Sequence, residues 1–495
     1  MSHSPGDAPA ADSISRNTAL AFVTTLVSAT GTTVLTLFLL RVLGPEDYGV
    51  LALALGIGSV IQLPADFGVS HAASRFVAES RADRQAVAGI LSDALRVKLA
   101  ITGGACALLA VLAGSVSDAY GTSALEWPLR ITALVVLGQS LFGMFDQMFE
   151  AEGRVGAFVR VVAAESAVET LSSIGLVLAG LGVSGAVAGR AAAYLFASGL
   201  ALALTVRVLR LRLQMGRGSG NARRLLRYGS ALLIVDGAFI LFHRIDVLLI
   251  GAILSVKDVG QFEAPLRLMT ILGYVGSAVA TGVAPRLAAG RDRLDPARLA
   301  EALRRLMAVQ GVFIAPLVVW AEPITELALG SEYTDSADVL RAITPFMFLL
   351  AISPVLARGV NYMGEARRRI PIAIGALTVN LVFDLIFLSE IGIVAGAIGT
   401  DIAYTLYVLA HLWICKRLIG LELAPLGAGL ARVLVAAGGM GAVLLAFGTG
   451  EVDVPWLIAG SIAGTAVYAV LLVGLREITV AELIALGRRF KPGAG

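Results

Sequence analysis

Apolar runs of roughly 20 residues, each closed by glycine or charge, recur along the whole chain, and each is long enough to cross ~30 Å of hydrocarbon as a helix. They begin near residues 17, 48, 88, 127, 156, 183, 227, 260, 306, 338, 370, 393, 427 and 455. Gly44-Pro45, Gly121, Gly153, Gly182, Gly330, Gly364, Gly392 and Gly450 punctuate them. The pattern predicts an all-α polytopic membrane protein with about 14 transmembrane helices, since helices satisfy their own backbone hydrogen bonds in lipid.

Composition agrees. Among 495 residues, 57% are hydrophobic and 15% charged, and the mean hydropathy of +0.83 leaves too little polar surface to cover a soluble fold. The first 15 residues are polar, with no basic cluster ahead of an apolar run, so the first helix is expected to be retained rather than cleaved. Cys106 and Cys415 fall inside apolar runs, where cysteine behaves as a small hydrophobe. His3, His71, His243 and His411 lie too far apart for a metal-ligand spacing, and no GxxxxGK[ST] loop marks an ATP-driven pump. No resident cofactor is expected.

Charge sets the orientation, because cytoplasmic loops keep Lys and Arg. Basic residues gather at Arg75, Arg81, Arg84, Arg96 and Lys98, then from Arg207 to Arg227, from Arg286 to Arg305, and from Arg358 to Arg369. The intervening loops carry acids instead, such as Asp118, Glu126, Glu332, Asp335, Glu451 and Asp453. Both termini are therefore placed in the cytoplasm, with a cytoplasmic (inner) membrane location, and the basic loops need no nucleic acid to explain them. The tail from Ile478 to Phe490 has an apolar side ending at Arg488 and Arg489 and is expected to lie in the membrane interface.

An ungapped offset of 211 residues aligns Arg16 with Arg227, Leu43 with Leu254, Asp47 with Asp258, Gly49 with Gly260 and Arg75 with Arg286. It also aligns Leu129-Arg130 with Leu340-Arg341, Gly153 with Gly364 and Gly185-Ala186 with Gly396-Ala397. Loop charges and turn glycines thus recur at matching places, giving two parallel six-helix lobes and a cleft suited to rocking-type alternating access. The division is a tail 1–15, an N-lobe 16–212, a linker 213–226, a C-lobe 227–420, two extra helices 421–476 and a C-terminal tail 477–495. Gly460 and Gly464 could pack the extra helices together or onto a lobe.

Asn17, the stretch RVLGPEDYG from Arg41 to Gly49, Asp66-Phe67-Gly68, and SRFVAE from Ser74 to Glu79 together form a motif set in the first two helices. In these residues the chain resembles the polysaccharide flippases of the multidrug, oligosaccharidyl-lipid and polysaccharide exporter superfamily. The resemblance implies a polyprenyl-pyrophosphate oligosaccharide or repeat unit moved from the inner to the outer leaflet by a cation-coupled or substrate-driven cycle. It also implies membrane lipids as partners, with the polymerase and glycosyltransferases of the same pathway nearby. Arg16, Arg41 and Arg75 stand at motif positions, near interfaces where snorkelling or loop anchoring is the commoner role.

Charges inside the membrane supply the candidate chemistry. Arg190, Arg244 and Arg267 lie within apolar runs and, counted along helices 6, 7 and 8, share a depth roughly 10 Å below the outer surface. They are candidate pyrophosphate ligands, suited by permanent charge and forked donors. The structural alternative is ion pairing with Asp246, Glu263, Asp384 or Asp401, Arg190 and Asp401 being repeat mates. Glu165 and Glu169, one turn apart on helix 5, together with Asp236, Asp66, Asp384 and Asp401, are candidates for H+ or Na+ coupling; packing hydrogen bonds from protonated acids are the alternative. Asp146 and Glu150 repeat that spacing nearer the cytoplasm, and His243 beside Arg244 reads as packing.

A transporter rather than an enzyme follows, because the outer loops are too short to build a separate catalytic site for a membrane glycosyltransferase. A cation-coupled exporter of small amphipathic solutes is the competing function. An arginine band favours an anionic lipid over a drug cation.

Overall fold

The computed structural model describes residues 14–80, 83–151, 155–209, 220–270, 295–362, 368–450 and 453–479. Every regular element among them is helical. In chain order they are α1 (Ile14–Asp66), α2 (Val69–Glu79), α3 (Arg84–Ala119), α4 (Glu126–Ala151), α5 (Val155–Leu176), α6 (Gly182–Leu209), α7 (Ala222–Phe242), α8 (Ile245–Ile253) and α9 (256–270). There follow α10 (Pro296–Gln310), α11 (Ile314–Val319), α12 (Ala321–Leu329), α13 (Ser336–Ala342), α14 (Thr344–Tyr362), α15 (Arg369–Ile391), α16 (Val394–Ile419), α17 (Ala424–Ala446) and α18 (Val454–Gly474).

Among the described residues nine helical stretches are long and apolar enough to cross a membrane, or ten if the bent α13–α14 pair is one span. A count of 14 is not confirmed among the described residues. Two of the nine are composite: the 39-residue Ser28–Asp66 bends at Gly44, and the 50-residue Phe158–Arg207 contains the α5–α6 turn. Gly44 takes φ 69°, which a side chain would resist, and Pro45 restarts the helix. The predicted boundary near residue 48 therefore falls close to Gly44, where one helix ends and the next begins without an intervening loop.

The chain forms two compact units, one ending at Gly260 and the other starting at Gln261. In the first, a core of Phe76, Leu91, Met144, Phe145, Met148 and Leu225 ties α2, α3, α4 and α7 together. The same unit carries a direct trace of the repeat. A β-carbon on Gly49 would collide with the Val256 carbonyl oxygen, and one on Gly260 with the Pro45 carbonyl oxygen. Pro45 and Val256, like Gly49 and Gly260, are mates at the 211 offset, so equivalent first turns cross backbone to backbone.

In the second unit α17 and α18 dock on α10 and α11. The Trp320 Nε1–H donates to the Gly448 carbonyl (2.9 Å) and the Tyr468 hydroxyl to that of Ala308 (2.7 Å). Gly460 makes room for the Trp320 ring and Gly464 for Leu444 and Met440, so the GxxxG spacing serves both α10–α12 and α17 contacts. Just past α18, Glu477 accepts from Arg304 (2.8 and 2.9 Å) on α10 and Arg432 (2.9 Å) on α17, with its side chain 1% exposed. Burial pushes this carboxyl up, but the two guanidiniums outweigh burial and hold it below the usual range. A depressed folded value means that the contribution is fully present above the unfolded value near 4.5 and is lost as pH falls through the folded one. Glu477→Gln is expected to loosen this hairpin by about 3 kcal/mol at neutral pH, read as a lower melting temperature in detergent, because it strands two guanidiniums. The predicted interfacial tail lies outside the described residues from Val480 onward.

Candidate functional site

The α5–α6 hairpin is closed by a π turn, Val177–Leu181, in which Gly180 takes φ 88°, followed by Gly182 at φ 49°. Its helices run close: the Ser172 hydroxyl donates to the Gly189 carbonyl (3.0 Å) and that of Ser173 to Ala186 (3.2 Å). This approach brings Arg190, eight residues and so about 12 Å into α6, against the acids of α5. Its Nη1 donates to Glu169 Oε1 at 2.8 Å, its Nη2 reaches the Tyr194 hydroxyl at 3.5 Å, and its guanidinium lies 5.4 Å from the Tyr194 ring centroid. One turn back, Glu165 is 8% exposed, and its Oε1 has no hydrogen-bond partner. Two carboxyls thus share one guanidinium in an apolar span.

Arg267 on α9 is built alike: its Nη2 pairs with Glu263 Oε1 at 2.5 Å. In both pairs the acid is the more buried partner, with side chains 15% exposed at Glu169 and 5% at Glu263 against 32% at Arg190 and 31% at Arg267. A carboxylate engages only part of a guanidinium's donors. Arg190 and Arg244 belong to the first unit and Arg267 to the second. Arg244 caps α8, half-buried, beside the buried Asp246.

The remaining predicted residues fall elsewhere. Asp401 accepts the Phe346 backbone N–H at 2.7 Å. Asp384 is fully buried on α15 beside Gly399, whose missing side chain leaves room for the Asp384 and Asn380 oxygens. Arg41 is exposed at the end of the first span. Arg75 bonds Glu79 (2.9 Å) and covers the Tyr228 ring (4.8 Å), while Arg224 bonds Glu79 (3.1 Å) and covers Phe76 (3.9 Å). The R-F pair of the SRFVAE motif thereby clamps α2 to α7. The side chains of Arg16, Glu150 and Asp236 lie outside the described residues, and Asp146 is half-buried on α4.

One placement is corrected. The charge pattern puts Lys98 in a cytoplasmic loop, but α3 starts at Arg84, capped by Asp83 accepting from the Gln85 and Ala86 amides (2.9 and 3.0 Å). Lys98 therefore sits four turns inside a helix, is 0% exposed, and bonds Asp66 and Ser70. Ser70 also donates to Asp66 at 2.7 Å. The apolar run starting near residue 88 and the Asp83 cap were the signals available in the sequence. A second group has no such signal: Arg369 donates to His411 Nε2 (3.3 Å) and the Tyr407 hydroxyl (3.2 Å), with His411 Nδ1 at the Tyr407 carbonyl (2.8 Å).

Fold and charge placement define a polytopic helical membrane protein of two units that holds anchored guanidiniums within its spans. Residues 38–338 match the family described as polysaccharide biosynthesis protein, and the chain belongs to that family. It is 21% identical over 365 residues to a protein described as a probable low-salt glycan biosynthesis flippase, Agl15, of Haloferax volcanii, covering 72% of this chain and 74% of that one. The structure superposes on the lipid II flippase MurJ in an inward closed conformation with a TM-score of 0.77 at 14% identity, covering 92% of this chain and 98% of that one. An inward-facing multidrug resistance transporter of the MATE family and MOP superfamily gives a TM-score of 0.62 at 16% identity, covering 82% and 99%.

Proposed function

We propose that the protein is a flippase that carries a polyprenyl-pyrophosphate oligosaccharide, or a polysaccharide repeat unit, across the cytoplasmic membrane by alternating access. The family and the flippase relative support the class; the observation that carries the substrate chemistry is the guanidinium of Arg190 held by Glu169 within an apolar span, matched by the Arg267–Glu263 pair. Such a group is expensive in a membrane span unless a polar ligand or cavity meets it, and a pyrophosphate can take the donors that the carboxylate leaves. In this reading Arg190, Arg244 and Arg267 receive the pyrophosphate, Glu165 and Glu169 couple transport to H+ or Na+, and both termini face the cytoplasm. The two six-helix lobes rock, α17 and α18 ride with α10, and the polymerase and glycosyltransferases of the pathway work alongside. The likeness to a drug exporter is one of fold, and an acid-anchored arginine at the site disfavours cationic cargo.

The test is leaflet exchange of a fluorescent polyprenyl-pyrophosphate sugar in liposomes. Each charge-assisted bond is worth ~1.5–3 kcal/mol, so Arg190→Ala is expected to slow exchange about 10- to 100-fold and the triple Arg190, Arg244 and Arg267 to Ala variant further. Wild-type exchange in the triple variant would remove the pyrophosphate reading.

A further inference from the structure

Glu165, Glu169 and Arg190 do not balance as ionised groups: two carboxyls face one guanidinium, and the orphaned Glu165 Oε1 lies in a side chain more than nine-tenths buried. Two carboxyls one helical turn apart in an apolar span, one of them paired with the single guanidinium, balance only with one proton, so the resting cluster closes electrically with one proton, two acids and one arginine. Among the described residues no other ion pair reaches these acids, and Arg160, five residues before Glu165 on α5, bonds the Gly156 carbonyl (2.9 Å). From α6 come Arg190 and the Tyr194 hydroxyl. From α1, Gly31 lies against the Ser166 and Thr170 hydroxyls of this part of α5, while Arg41, Glu46, Asp47 and Asp66 stand ten or more residues further along. On α4, Asp146 lies roughly 7 Å nearer the α4–α5 turn by residue count, and Glu126 and Arg130 are at the opposite end.

We infer that binding of a phosphate-bearing ligand at Arg190 is obligatorily linked to proton uptake by the Glu165–Glu169 pair, so that substrate and proton load together rather than displace one another. This rests on the reading of Arg190 as a substrate contact. A phosphate that draws Arg190 from Glu169 leaves a singly protonated acid pair buried with no counter-charge and a second anion close by. The pair then accepts a proton from water, forming one O–H bond on a carboxylate and leaving hydroxide to the bulk buffer. Arg190 is the mechanical link, because one guanidinium serves both the acids and the ligand. The linkage gives the ligand up to tenfold tighter binding for each unit of falling pH while one proton is taken up.

Titration calorimetry of the full-length protein in nanodiscs tests this with a short-chain polyprenyl pyrophosphate, above the ligand's own titration range, in two buffers of different ionisation enthalpy. The wild type is expected to take up close to one proton per ligand. Glu169→Gln, which keeps an acceptor for Arg190, is expected to bind and to take up less than half a proton. Binding by the wild type with no proton exchanged overturns the linkage, as does uptake in Glu169→Gln equal to wild type. Affinity that depends on sodium rather than pH, compared in choline buffer, also overturns it. Arg190→Ala or Arg190→Lys binding as tightly as wild type overturns instead the substrate reading beneath it.

Discussion

Replacing Lys98 by alanine is expected to destabilise the protein by about 3–5 kcal/mol, the cost of removing one partner from a buried pair and leaving the other charge uncompensated. Lys98 is wholly enclosed, and its ammonium is held by Asp66 and Ser70 where α1 ends and α2 begins. That junction has little latitude, since Phe67 and Gly68 both take positive φ, 45° and 64°, and Gly68 abuts the Gly229 backbone of α7. The expected readout is a large fall in melting temperature of the detergent-purified protein. Joint replacement, Lys98→Met with Asp66→Leu, is expected to recover most of the loss, because an apolar pair of similar volume avoids the desolvation that the ion pair carries. A Lys98→Ala protein that melts like wild type would show that the pair is not needed to hold the junction.

Lys98 also shows where sequence reading stops. Periodicity and length identify helices because a membrane span has few alternatives, and the 211-residue offset exposes the repeat because turn glycines and loop charges must recur. The positive-inside rule, however, counts a lysine without asking what it faces, although both the apolar run starting near residue 88 and the Asp83 cap place Lys98 within α3. The Glu165–Glu169 spacing was legible as a shared face; that Arg190 joins it was not, since the partnership depends on how the π turn and the Ser172–Gly189 contact set α6 against α5. Likewise Glu477 reads as a tail residue until α10 and α17 bring Arg304 and Arg432 to it. Elements were set by local pattern. Partners were set by tertiary approach, which a single sequence does not carry.

The crossing of Gly49 and Gly260 is the other place where a small change should have a large effect. Gly260→Val is expected to remove most folded protein, with Gly260→Ala and Gly49→Ala intermediate, measured as the monodisperse fraction by fluorescence-detected size exclusion and by melting temperature. The obstacle is a carbonyl oxygen, Pro45 on one side and Val256 on the other, so no rotamer change relieves it and two helix starts must separate. Overpacking that side chains can absorb costs about 1–3 kcal/mol, and a backbone collision belongs at or above the top of that range. Gly103→Ala on α3 is the control: open space surrounds that position, and alanine in a helix interior is favoured over glycine by about 0.5–1 kcal/mol. If Gly260→Val folds as well as Gly103→Ala, the close crossing of the two repeat-equivalent turns is not what holds them. If only the crossing variants fail, the mates found by sliding the sequence against itself are also the residues whose lack of a side chain lets the repeats meet.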